Sequence, residues 1–316
     1  MKYIESFREG ERIAGIYFCK FKNIAVSKNG KEYGSVIIQD KTGTVDGKIW
    51  ELYSPGIEEF ETMDYIDIKG DVTVFNGSIQ LNIKQARKAE EGTYNESDYL
   101  PTSDYDIDEM YAALTDIIKN NVKNEHLLAL LRKFFVEDKE FIKNFKHHSA
   151  AKRVHHGFVG GLLEHTLGVA KLCVTLADNY PYLNRDLLVT AAIFHDVGKV
   201  YELSDFPEND YTDDGQLLGH IVMGCEILGN AIRTISGFPP VLERELKHCI
   251  VSHHGEFEYG SPKKPALIEA VALHYADDMD AKLETFKEAL NTPQGQSGEW
   301  MGFNKMLDSN IRKTLG

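Results

Sequence analysis

Between residues 90 and 106 the spacing of apolar side chains changes its period, which divides the chain into two kinds of structure. Before it, short alternating runs are separated by turn residues: Ile13 to Phe21, the turn Lys28-Asn29-Gly30-Lys31, Tyr33 to Gln39, Asp40-Lys41-Thr42-Gly43, and Thr44 to Leu52. A side chain at every second position lines one face of a strand, so these runs read as a meander. Ser54-Pro55-Gly56 opens a short insert; Tyr65 to Phe75, an Asn76-Gly77 hairpin signal and Ser78 to Ala86 complete five strands. Five strands with an insert between the third and fourth suit an OB-fold β-barrel over residues 1–92. A small barrel used only for protein contacts would read the same way, because fold alone does not fix function.

Residues 93–106 are acidic, rich in Tyr, Asn and Ser, and include Pro101; they read as a linker. From Ile107 apolar residues recur at helical spacing, as in Met110, Leu114, Ile117 and Ile118, then Leu127, Leu128, Leu131, Phe134 and Phe135. Helices are expected at Val159 to Asn179, Arg185 to His195, His220 to Ile235, Val241 to His254 and Ala266 to Thr285, with Gly198, Gly237 and Gly255 near their ends. The whole of 107–316 is thus expected to be an all-α bundle, a second domain of its own.

No stretch approaches the roughly 18 apolar residues of a membrane span, and the N-terminus lacks an apolar signal segment, so the expected compartment is the cytoplasm, with no membrane partner. Cys19, Cys173, Cys225 and Cys249 lie far apart without a CxxC, which argues against a zinc ribbon or a disulfide framework. A net charge of -14 is awkward for a polyanion-binding protein. Residues 1–92 carry 13 Lys or Arg against 15 Asp or Glu, however, so nearly all the deficit falls in the helical half, where divalent cations would cancel part of it.

That half holds seven potential ligands: His165, His195-Asp196, His220, His253-His254 and Asp277. Successive groups are separated by 30, 24, 33 and 23 positions, which places each on its own helix or helix end, as in metal sites built inside bundles. One such histidine alone is more often a core or surface residue than a ligand. The set differs, because His195-Asp196 and His253-His254 each end an apolar helix, where unpartnered polar groups cost several kcal/mol. A metal supplies the partner.

With Gly198-Lys199 behind the His195-Asp196 doublet, this series resembles the HD superfamily of phosphohydrolases. Two longer segments, His155-His156-Gly157-Phe158-Val159-Gly160-Gly161-Leu162-Leu163-Glu164-His165-Thr166 and Asp277-Asp278-Met279-Asp280-Ala281-Lys282, resemble the OB-fold plus HD-domain 3′-to-5′ exoribonucleases of the YhaM type. Asp40-Lys41-Thr42-Gly43 followed by Lys48-Ile49-Trp50 agrees with that family less specifically.

The resemblance implies an HD core at about 157–285 in which His165, His195 and Asp277 hold one metal, His220, His253 and His254 hold another, and Asp196 bridges them. Two such cations would activate water and neutralise the attacked phosphate. An imidazole-rich shell favours Mn, Fe, Co or Zn, and the resemblance points to manganese. Lys199 is expected to contact a phosphate oxygen, although a lysine complementing a helix C-terminus would look the same. Asp280 is expected to accept from a ligand histidine. Lys152, Arg153, His155 and His156, in the one basic cluster of an acidic half, are candidates to grip phosphates.

Among the barrel aromatics Tyr17, Phe18, Phe21, Tyr33, Trp50 and Phe75, alternation sends about half inward. Tyr33 and Trp50 are the first choices for base stacking. With the resemblance, the expected function is metal-dependent 3′-to-5′ exonucleolytic hydrolysis of single-stranded RNA, with single-stranded DNA as a further candidate substrate, to nucleoside 5′-monophosphates. A phosphodiesterase of a cyclic nucleotide, with the barrel as docking module, is the alternative. Either is compatible with a homo-oligomer.

Overall fold

The alternating half forms five strands, β1 (Arg12–Val26), β2 (Glu32–Asp40), β3 (Gly43–Ile49), β4 (Tyr65–Phe75) and β5 (Ser78–Lys88). The protein is described here as a computed structural model covering residues 1–27, 29–152, 156–291 and 299–314. It comprises two compact units, Met1–Thr102 and Ser103–Gly316.

In the first unit the strands close a barrel in the order β1-β2-β3-β5-β4, with β4 returning to β1. Only the β3–β5 pairing is parallel among the described strands. This is the OB-fold barrel. Strand β1 runs past Phe21, where the alternation suggested its end, because a register shift between Cys19 and Phe21 bends it. Its first half pairs with β4 and its second with β2.

Tyr17 and Phe18 are both buried although they are neighbours on one strand. Tyr17 enters the barrel core with Ile38, Ile66 and Leu81. Phe18 points the other way and is covered by Tyr65 and Tyr99, with Tyr94 stacked on Tyr65. The tract expected to be a linker therefore folds onto the barrel as far as Tyr99. Tyr3 Oη donates to Asp98 Oδ1 at 2.9 Å, and Gln39 Nε2 donates to the Tyr99 carbonyl at 3.1 Å.

The second unit contains α1 (Ile107–Asn121), α2 (Glu125–Arg132), α3 (Lys139–His147), α4 (Gly161–Asn179), α5 (Arg185–Phe194), α6 (Lys199–Glu202), α7 (Asp213–Leu217), α8 (Gly219–Ile232), α9 (Pro240–Ser252) and α10 (Ile268–Asn291). Asp106, Asn124, Asp138 and Asn184 each accept a first-turn N–H at the start of α1, α2, α3 and α5, an interaction typically worth ~1 kcal/mol. Helix α5 is buried from Leu187 through Phe194, so it runs through the core between α4 and α9 and carries His195 at its end. Phe134 and Phe135, on a π-helical turn, pack their rings 5.2 and 5.7 Å from Phe194.

The expectation of helix to the C-terminus is corrected. Strands β6 (Trp300–Asn304) and β7 (Ser309–Arg312) form a hairpin. Its turn is held by the Asn304 side chain, whose Oδ1 accepts from the N–H groups of Met306 and Leu307 at 2.9 and 3.1 Å. Strands this short show no period. Among the described residues no helix is long and apolar enough to cross a membrane.

Candidate metal centre

Helix ends bring the ligand candidates to one place. His165 lies on the first turns of α4, His195 and Asp196 follow α5, His220 begins α8, His253 and His254 follow α9, and Asp277 lies within α10. Two groups have their ligand atoms within 4.8 Å of one another: His165, His195 and Asp277, and His220, His253 and His254. Asp196 stands between them. Its Oδ2 is 3.4 Å from Nε2 of both His165 and His195. Its Oδ1 is 3.4 Å from His220 Nε2 and 3.6 Å from His253 Nε2.

All five imidazoles turn the same nitrogen inward. His195 Nδ1 donates to the Ala192 carbonyl at 2.7 Å, His253 Nδ1 to Ile250 at 2.7 Å, and His254 Nδ1 to Tyr259 at 2.8 Å. His220 Nδ1 meets Glu202 Oε1 at 3.0 Å, and His165 Nδ1 meets Asp280 Oδ2 at 2.7 Å. Every outer partner is a carbonyl or carboxylate, which only accept, so a proton sits on each Nδ1, and each Nε2, when it carries no second proton, offers a lone pair. Asp196 Oδ1, His220 Nε2 and His253 Nε2 are buried without a hydrogen-bond partner. Three converging orphaned acceptors cost several kcal/mol in isolation, and a divalent cation satisfies all three at once. The residues present fit that group.

The electrostatics agree. Burial opposes charge on Asp196, but Lys199 and the surrounding imidazoles prevail and hold its carboxyl well below the usual carboxylate range. Burial likewise opposes charge on Asp277, and His165 and His195 pull it down. Burial, with His253 and His220 alongside, pushes His254 down to about 3, leaving it neutral and available as a ligand. Lys199 Nζ lies 2.7 Å from Asp196 Oδ2; burial would lower its pKa, but Asp196 raises it.

These groups open onto a cavity of about 360 Å³ lined by His165, Lys199, His254, Tyr259, His274 and Asp277. The doublet turn reaches this position through glycine: at Gly198 a Cβ would lie 2.0 Å from the His220 carbonyl oxygen.

Of the other residues singled out by sequence, Asp280 stands behind His165, as above, and also meets His156 Nε2 at 3.1 Å. His156 is 4% exposed, so it backs His165 rather than standing on an open basic face. Lys152 pairs its ammonium with Asp210. Arg153 and His155 lie outside the described residues. On the barrel, Tyr33 is half-buried and Trp50 is 45% exposed, with ring centroids 4.8 Å apart; Phe21 and Phe75 are exposed as well.

Two residues escaped the sequence: Glu202, which holds His220, and His274, one helical turn before Asp277. A signal for the second existed in their three-residue spacing, which puts both on one face.

Residues 162–282 match the HD domain family. The 3′-5′ exoribonuclease YhaM of Geobacillus sp. (strain WCH70) is 35% identical over 292 residues, covering 92% of this chain and 88% of its own. The protein of that name from Listeria innocua serovar 6a is 34% identical over 303 residues, covering 94% of each. Among solved structures, the second OB-fold domain of replication protein A from Methanococcus maripaludis aligns with 29% of this chain and 98% of its own, at 15% identity and a TM-score of 0.24. A replication protein A heterotrimer bound to single-stranded DNA aligns over 28% of this chain and 64% of that one, at 15% identity and a TM-score of 0.21.

Proposed function

Because this chain belongs to the YhaM family of 3′-5′ exoribonucleases and is a phosphodiester hydrolase, we propose that it shortens single-stranded RNA from the 3′ end in a reaction that depends on divalent metal and releases nucleoside 5′-monophosphates. Single-stranded DNA is a second substrate under this proposal, and the cytoplasm is its compartment. The observation that carries it is the convergence of the Nε2 atoms of His165, His195, His220 and His253 on Asp196, with His254 grouped beside the last two and three buried acceptors left unpaired.

In the proposed site His165, His195 and Asp277 hold one cation, His220, His253 and His254 a second, and Asp196 both. Manganese is the favoured ion among those that suit imidazole and carboxylate. Held there, divalent ions would supply Lewis acidity toward a phosphate oxygen and a bound water.

The chain's own residues do the rest. The Nδ1 anchors hold the imidazoles at fixed angles, so little reorganisation remains when substrate arrives. Lys199, charged and only 16% exposed in its side chain, sits at the cavity wall, where its ammonium offsets negative charge on a phosphate oxygen. On the barrel, Tyr33 and Trp50 offer a surface on which bases stack. Lys152 takes part only if a phosphate displaces Asp210.

The test incubates the purified protein with a 5′-labelled single-stranded RNA, its circular form and a cyclic dinucleotide under a panel of divalent metals. Stepwise shortening of the linear RNA alone, abolished by Asp196→Ala, is expected. Turnover of the cyclic dinucleotide beside inert RNA, or cleavage of the circle at the linear rate, would refute the proposal.

A further inference from the structure

His274 belongs to the cavity wall but to neither ligand group. Its Nδ1 is 2.9 Å from the main-chain carbonyl of His253. That carbonyl only accepts, so the tautomer it selects carries its proton on Nδ1 and leaves Nε2 as the lone-pair acceptor. Among the described residues Nε2 has no protein partner. The ring is seated against Gly255, where a Cβ would fall 2.3 to 2.5 Å from three ring atoms and where φ is +77°. The backbone thus makes room for an imidazole at this spot and fixes its tautomer.

An acceptor is out of place in a wall meant only for a phosphodiester, since phosphate oxygens are acceptors too. It matches a hydroxyl. Along a polynucleotide every internal 3′ oxygen is esterified, and only the last nucleotide carries a 3′-hydroxyl with a hydrogen to donate. The cavity, about 360 Å³, lies near the small end of the roughly 300–1,000 Å³ typical of small-ligand pockets. That suits one terminal nucleotide, with its phosphate toward Lys199. We infer that His274 Nε2 accepts a hydrogen bond from the 3′-hydroxyl of the terminal nucleotide and so reads the end of the strand. This rests on the exonuclease activity proposed above and adds the group that makes it end-dependent.

The experiment measures kcat/KM of the full-length protein on one oligoribonucleotide ending in a 3′-hydroxyl, a 3′-deoxy or a 2′-deoxy nucleotide. His274→Asn is the informative variant, because its amide can still donate to the His253 carbonyl while the acceptor at the Nε2 position is gone. His274→Ala accompanies it. The wild type is expected to lose about tenfold on the 3′-deoxy end, the size of one net hydrogen bond lost. His274→Asn should fall to that rate on the 3′-hydroxyl end and lose no more on the 3′-deoxy end, with unchanged metal content. A wild type indifferent to the 3′-deoxy end, sensitivity only to the 2′-deoxy end, or equal loss by His274→Asn on both ends would overturn the inference. Absence of shortening on every end would instead remove the activity on which it rests.

Discussion

Replacing Gly198 by alanine tests how tightly the doublet turn is seated. The backbone there has φ -65°, which alanine adopts without strain, so local propensity alone predicts a neutral or slightly favourable change. The surroundings predict the opposite. The added Cβ would lie 2.0 Å from the His220 carbonyl oxygen and 2.9 Å from the Gly224 nitrogen; reaching an ordinary contact of 3.4 Å requires α6 and α8 to part by about 1.4 Å. Overpacking of this kind costs about 1–3 kcal/mol, and a domain of this size loses roughly 2–4 °C of Tm per kcal/mol. The movement carries His220 away from Asp196, and a misplacement of about 1 Å at a catalytic group costs on the order of 100-fold in rate. Thermal melting and RNA hydrolysis of Gly198→Ala should therefore show a lowered Tm and a rate reduced on that scale. A variant with wild-type Tm and a rate within about threefold would show that the turn is not seated as described.

Glu202→Ala should weaken metal binding by roughly 10–100-fold, because Glu202 Oε1 accepts from both the backbone N–H and Nδ1 of His220 at 2.9 and 3.0 Å; an unchanged metal titration would refute this. Joint replacement of Tyr33 and Trp50 by alanine should weaken binding of a single-stranded oligoribonucleotide by at least tenfold, at roughly 1–3 kcal/mol per stacked base, and leave hydrolysis of bis(p-nitrophenyl) phosphate intact. Equal losses on both substrates would count against a binding role.

The metal-free protein should be most resistant to urea near pH 6.5. Burial lowers His253 and His254, the latter to about 3, so from the ordinary 6.5 downward the unfolded chain takes up protons that the folded one refuses and stability falls. His165 is opposed by burial but raised well above 6.5 by Asp196, Asp277 and Asp280, so its contribution is complete below 6.5 and is lost as pH rises through its folded value. A midpoint that climbs steadily from pH 4 to 8 would refute this balance.

The barrel and the main helices were legible because each buries one face and writes that face at its own period. What escaped was whatever carries no period. Tyr94 and Tyr99 sit in a polar stretch, and only the outward-facing Phe18 and Tyr65 show why they are there. The hairpin at Trp300–Asn304 is too short for alternation to stand out from chance. At the site, side-chain types named the ligand series, but the anchors at Ala192, Ile250 and Tyr259 are carbonyls and have no residue signature. His156 looked like part of a basic face because sequence does not show that Asp280, 124 positions away, lies against it.

Those anchors also decide how the site looks to a geneticist. Every amino acid supplies a carbonyl, so no codon change at Ala192, Ile250 or Tyr259 can erase the bond that orients His195, His253 or His254. His220 and His165 depend on carboxylates, Glu202 and Asp280, which a single nucleotide change can remove. A saturation scan scored on growth or activity should therefore find two intolerant acids standing behind the histidines and, at Ala192 and Ile250, positions whose tolerance follows the packing and polarity of the core rather than any hydrogen-bonding side chain.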